Sequence, residues 1–391
     1  MAVRMMFGVN YGTAHKAEVW ALNLVVWMYT HELWLTEIMC VINKLFNEDS
    51  SLQLSYKTEE RKSSNYRTSG AMNTIDIIYE RRTTNIQIRI NEEPLGPYSD
   101  YLKTALIQAG ALQLDFSQVE NLLAKASIDM IVKFFLDTNT FVLRGVTNFF
   151  YQKAKTKRLS FILLYATPLI KNELGRIFEK NKDALRTAAK SLHPERKTQM
   201  KLANAMIGLK EFGIHTSSGL VRTVPVSARD KLESFSIGDR DIYEEYTKFL
   251  QRTPSSAAYF VTADRAYSAR ISSMTPIMIR QDVSIPKTIK ANIKALPALI
   301  YTMATMFSEI QVSPANNPFF KITFGRNNYS HDVNNPWVNL IFRSGHSIST
   351  TVQQREKEIL RELEILRALR VKRQEFQRSG TVGGEGVNEI Y

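Results

Sequence analysis

The sequence predicts a mainly α fold with a smaller α+β portion: a helical bundle core, one basic β-hairpin and a long C-terminal helix. Three patterns carry this expectation. Apolar residues recur at helical spacing over 16–46 and through most of 98–209, two alternating runs near 75–90 flank a polar linker, and 351–373 reads as a charged rod.

In chain order, Val19, Leu22, Val26, Leu33, Ile38, Val41, Ile42 and Leu45 predict one long or two abutting buried helices. Trp20, Trp27 and Trp34 recur every seven residues and would share one helical stripe. Residues 48–70 turn polar and read as an exposed loop or arm. Ile75, Ile77 and Tyr79, then Ile86, Ile88 and Ile90, alternate with polar residues as a hairpin does, and Arg81, Arg82 and Arg89 make it basic. Pro94, Gly96 and Pro97 mark a boundary, since proline cannot continue a ladder. Helices are then expected from Asp115 or Ser117 through Phe134, over 159–189 and over 194–209. Past Gly213, short β-branched stretches at 220–226, 259–262 and 320–324 alternate with helical pieces. Thr351 with Gln354 resembles a capping box, and early glutamates with late arginines complement the dipole of a straight terminal helix. Its narrow stripe of Ile359, Leu363, Leu366 and Leu369 reads as a self-association strip. A glycine-rich stretch after Arg378 reads as a flexible tail.

These elements divide into four parts: 1–93, a helical segment with arm and hairpin; 94–212, a basic helical domain; 213–346, an α+β domain; and 347–391, the long helix and tail. The lone Cys40 excludes an internal disulfide and a cysteine-based zinc site. The longest apolar runs are about a dozen residues, short of the roughly 20 that span a bilayer, so no membrane span is expected. The start lacks a secretory pattern. The protein is accordingly expected in the cytoplasm or nucleus, or within a virion, and not secreted.

Charge gives the strongest functional signal. Of a formal net +13, the segment 144–210 holds fifteen basic and four acidic residues, a net +11. Such concentration is the electrostatic footprint of a polyanion, because each neutralised phosphate releases counterions. The expected nucleic-acid contacts are Arg144, Lys153, Lys155, Lys157, Arg158, Lys171, Arg176, Lys180, Lys182, Arg186, Lys190, Arg196, Lys197 and Lys201. Phe149, Phe150 and Tyr151 beside the first lysines suit stacking on single strands.

Catalytic signatures are sparse. No phosphate-cradling glycine loop, dinucleotide glycine triplet or nucleophile elbow occurs. The six histidines stand singly, and Glu59-Glu60, Glu92-Glu93 and Glu244-Glu245 would point apart. No cofactor and no metal are expected.

Two segments resemble tyrosine recombinases: LLYATPLIKNEL at 163–174 resembles their first arginine box, and GHSISTT at 345–351 their glycine-histidine box. The box arginine falls on Ile170, and after His346 the next tyrosine is Tyr391. The resemblance implies a DNA-acting enzyme or an inactive relative, with Arg176, His193, Arg196, Arg326 and His346 around one pocket. The leading expectation is a non-enzymatic protein that binds RNA or DNA largely without sequence specificity and self-associates as a homo-oligomer. A viral capsid or nucleocapsid protein, contacting other particle proteins, is its nearest likeness. A scaffold for an acidic protein is the further alternative.

Overall fold

The computed structural model describes residues 26–34, 37–38, 41–42, 45–46, 51–58, 71–80, 83–92, 94, 97–125, 131–156, 162–188, 196–226, 239–253, 257–264, 274–279, 284–307, 309–314, 320–324, 337–344 and 350–380. The chain begins with strands β1 (Val26–Trp34), β2 (Ser51–Thr58), β3 (Ala71–Tyr79) and β4 (Asn85–Ile90). Helices α1 (Pro97–Gln108) and α2 (Ser117–Lys125) lead to β5 (Val132–Leu136), α3 (Thr138–Val142), a π turn (Val146–Phe150) and α4 (Tyr151–Thr156). Then come β6 (Ile162–Ala166), α5 (Pro168–Ala188), α6 (Arg196–Ser217), β7 (Val221–Thr223), α7 (Asp239–Arg252), β8 (Ala257–Thr262) and β9 (Thr275–Met278). The chain closes with β10 (Thr288–Asn292), α8 (Ala295–Phe307), β11 (Glu309–Pro314), β12 (Phe320–Thr323), β13 (Trp337–Ser344) and α9 (Thr350–Gly380).

The protein is therefore a two-sheet α/β structure, not a mainly α bundle. An eight-stranded antiparallel sheet runs β1-β13-β12-β11-β2-β3-β4-β10, and a five-stranded parallel sheet runs β7-β6-β5-β8-β9. Several expected helices are strands. Residues 26–34 pair with β13, and β2 occupies the expected arm. β5 and β6 interrupt a stretch, 98–209, expected to be helical over most of its length. The physical reason is that a parallel strand covered on both faces reads as a continuous apolar run, which periodicity cannot tell from a buried helix. All five residues of Val132–Leu136 are buried, including Lys133, whose ammonium donates to the Thr253 carbonyl at 3.0 Å. The hairpin at Ile75–Tyr79 and Ile86–Ile90 is present as β3 and β4, in the register Ile75 to Ile90 and Ile77 to Ile88.

The antiparallel sheet buries alternate residues: Leu52, Leu54 and Tyr56, then Ile75 and Ile77, Ile86 and Ile88, Ile310 and Val312. Helix α8 runs across it, and ten of its side chains are buried, as expected of a helix that is apolar all round. Its other side packs on α1 and α6, which joins the two sheets through one core. Gly208 lets α6 approach its neighbours: a Cβ there would lie 3.0 Å from Leu174 of α5 and 3.2 Å from Val142 of α3. The terminal helix is not separate either. Ile359 and Leu363 are buried, and Arg367 pairs with Glu37 at 3.0 Å.

Candidate functional site

In parallel sheets ligands bind outside the carboxyl ends of the strands, where the strand order reverses. Here the first two strands of the sheet, β5 and β6, lie side by side and β7 continues outward, whereas β8 returns to the other side of β5. The reversal falls between β5 and β8. β5 ends at Leu136 and runs into Asp137-Thr138, and β8 ends at Thr262, two residues before Asp264.

One hydrogen-bonded chain ties these residues together. The Thr262 hydroxyl donates to Asp137 Oδ2 at 2.7 Å, and the Asp264 amide donates to the Thr262 hydroxyl at 3.0 Å. Asp137 Oδ1 accepts the Thr138 amide at 2.7 Å and caps α3, while the Thr138 hydroxyl donates to Glu173 Oε2 on α5 at 2.5 Å. Asp137 is buried, with Glu173 and Asp264 half-buried. Tyr246 of α7 locks the rim. Its hydroxyl donates to the Leu136 carbonyl at 2.7 Å and accepts the Thr167 amide at 3.1 Å, bridging the ends of β5 and β6. The Asp137 and Glu173 carboxylates and the Asp264 amide thus belong to one hydrogen-bonded chain at the strand ends, and among the described residues no three His, Cys, Asp or Glu side chains group closely enough to hold a metal ion.

The expected basic residues divide between two places. Lys171, Arg176, Lys180 and Lys182 lie on α5, and Lys197 and Lys201 on α6, two helices packed against each other. Lys171, Lys180, Lys197 and Lys201 are exposed. Arg176 stands one turn beyond Glu173, and its Nη1 is buried without a hydrogen-bond partner among the described residues. Lys155, Arg186 and Arg196 fall on α4, α5 and α6. Lys157, Arg158 and Lys190 lie outside the described residues, as do His193, Arg326 and His346 of the recombinase-like set. The box-like segment 163–174 spans the end of β6 and the start of α5, with Ile170 fully buried. Phe149 and Phe150 pack into the core against Phe116 and Phe134, so they offer little face for stacking.

Arg144 sits apart, at the other end of α3. Its Nε lies 3.5 Å from Glu211, and the same carboxylate meets His215 Nε2 at 3.3 Å and the Thr147 amide at 2.8 Å. Burial alone would raise the Glu211 carboxyl pKa, but the His215 hydrogen bond, the Arg144 and His215 charges and the Thr147 donor hold it below the ordinary 4.5. A depressed native pKa contributes stability above the unfolded value that is lost as pH falls through the native one. Glu211→Gln is therefore expected to lower the unfolding free energy by about 2 kcal/mol at neutral pH. Denaturant titrations of both proteins at several pH values test this: the difference should shrink as pH drops below 4.5, and a constant gap would disprove an ionised carboxylate.

No family model, curated protein or solved structure matches the chain. Among the described residues no helix is long and apolar enough to cross a membrane. Sequence reasoning found the basic helices but missed Asp137, Glu173 and Asp264. The only signal was an acid closing each of two apolar strand-like runs, at Val132–Leu136 and Ala257–Thr262, some 120 residues apart along the chain.

Proposed function

We propose that the protein binds nucleic acid along α5 and α6 and hydrolyses phosphodiester bonds at the crevice between β5 and β8 with a divalent cation. The carrying observation is the strand-order reversal, with Asp137 and Asp264 at the ends of neighbouring strands and Glu173 tied to them through Thr138. Mg²⁺ keeps several waters and takes one or two carboxylates plus substrate phosphates, so the half-buried Glu173 and Asp264 are the residues that would hold it beside its substrate. The ion would polarise the phosphoryl oxygens and lower the pKa of a bound water. The water oxygen bonds to phosphorus, the ester oxygen leaves, and the proton released by the water ends on that leaving oxygen. Arg176 supports the reading, since its buried Nη1 is a donor that a phosphate oxygen would satisfy. This departs from the non-enzymatic expectation and keeps its nucleic-acid partner. The test is to incubate the purified chain with labelled single- and double-stranded DNA and RNA, with Mg²⁺ or Mn²⁺ and with chelator. Cleavage only with the cation is expected, and intact polymers in every arm overturn the reading.

A second reading, self-association in the manner of a coat or nucleocapsid protein, rests on α9. Ile365, Leu366, Leu369 and Val371 are exposed there beyond the buried Ile359 and Leu363. The second half of the helix is strongly basic and four glutamates stand in the first among three basic residues, so two copies laid antiparallel would pair some opposite charges beside exposed apolar side chains. Leu366→Glu with Leu369→Glu is expected to reduce the mass measured by light scattering to about that of one 44.8 kDa chain. An unchanged mass removes the reading.

A further inference from the structure

Between the two sheets lies a cleft of about 940 Å³, at the upper end of the size range of small-molecule sites. One wall comes from the segment after α1, the π turn and α6, and the other from the end of β10 and the start of α8. Among the described residues four cations line it, Arg144, Lys153, Lys210 and Lys294, against two acids, Glu120 and Glu211. Both acids are already engaged, Glu120 with Lys153 at 2.5 Å and Glu211 with Arg144 and His215. Lys210 of α6 and Lys294, the residue before α8, both line the cleft. The Lys210 ammonium is held below its ordinary pKa by burial and by Arg144, against the pull of Glu211, so an arriving anion would relieve it. The rest of the lining is amphipathic. Phe116 and Phe149, both buried and stacked on each other at 4.1 Å, form part of it, with the Lys153 ammonium 5.4 Å from the Phe149 ring.

The backbone supports a ligand here as well. Arg144 is the one non-glycine residue with positive φ among those described, at 54°. Such a conformation costs about 1–3 kcal/mol, persists only where its surroundings over-determine it, and clusters at ligand sites. What holds it is the cleft's own wall: Nη1 donates to the Gln108 carbonyl at 2.8 Å, and Nε pairs with Glu211.

We propose that this cleft binds a nucleoside phosphate, with the phosphate between Lys210, Lys294 and Arg144 and the nucleoside against the apolar part of the lining. The nucleotide is either one unit of a strand or a free mononucleotide, and the site is separate from the carboxylate crevice. Binding is therefore measured with chelator present, so that a failure of hydrolysis leaves the result untouched.

The experiment titrates the full chain with a fluorescent single-stranded octanucleotide and, separately, with AMP by calorimetry. Lys210→Gln with Lys294→Gln is expected to weaken at least one of them by about tenfold or more. Lys357→Gln with Lys372→Gln, the same charge change on exposed α9 positions, should alter neither by more than about twofold. A loss confined to the octanucleotide assigns a strand unit, and a loss with AMP assigns a free nucleotide. No binding in either arm, or equal weakening by both double variants, overturns the proposal. Lys294→Gln alone, on an exposed side chain, keeps the test decisive should the double variant not fold, with a loss of at least about threefold expected.

Discussion

Asp137→Asn is expected to lower cation-dependent phosphodiester cleavage by about 10²–10³-fold, the cost of removing one preorganised electrostatic partner from a reacting centre. Asp137 is the junction of this hydrogen-bonded chain. It accepts from Thr138 and Thr262, and through them it meets Glu173 and the Asp264 amide. An asparagine keeps an oxygen for the Thr138 amide but removes the charge that a cation would meet. Because the same side chain caps α3, the variant could also fold poorly, so Glu173→Gln serves as the second variant. Glutamine retains an oxygen to accept the Thr138 hydroxyl, and Glu173 is only half-buried. Both variants are compared with the wild type by single-turnover cleavage and by thermal melting. Residual cleavage that is equal in all three, or indifferent to chelator, would belong to a contaminating nuclease and would end the hydrolytic reading.

The site escaped the sequence for a physical reason. A carboxylate at a strand end is unremarkable until one knows which strands are neighbours, and Asp137 is linked through the Thr262 hydroxyl to the Asp264 amide only because β8 pairs with β5. The search for paired acids considered residues adjacent in sequence, whereas this crevice draws on positions 137, 173 and 264. The β3–β4 hairpin was legible because one face is wet and the alternation survives, as was α9 from its charge pattern. β5 and β6 were not, since burial on both faces erases the alternation that marks a strand. β1 hid for a different reason: its partner, β13, lies some 300 residues downstream, so nothing local specified pairing over a helix. The basic segment was visible as composition, but its division between the α5–α6 pair and the cleft at Arg144 depends on how α3 and α6 turn and pack.

Tyr246→Phe removes one oxygen atom and is expected to cost about 3–5 kcal/mol of unfolding free energy, since two buried main-chain groups each lose a partner at roughly 1–3 kcal/mol. The ring is fully buried against Phe135 and Phe260, with centroids at 4.9 and 6.0 Å, and phenylalanine preserves that packing. What changes is the hydroxyl that receives the Thr167 amide and gives its proton to the Leu136 carbonyl. Those two groups lie where β5 and β6 end, next to Asp137 and just ahead of the helix that carries Glu173. Loss of stability should therefore come with a disproportionate loss of cleavage. Tyr259→Phe, a half-buried tyrosine on β8, is the comparison, and it should cost less than about 1 kcal/mol. Equilibrium denaturation of the two variants decides the matter. If both lose the same small amount, the Tyr246 hydroxyl does not hold the strand ends together, and the rigidity attributed to the crevice rim has no basis.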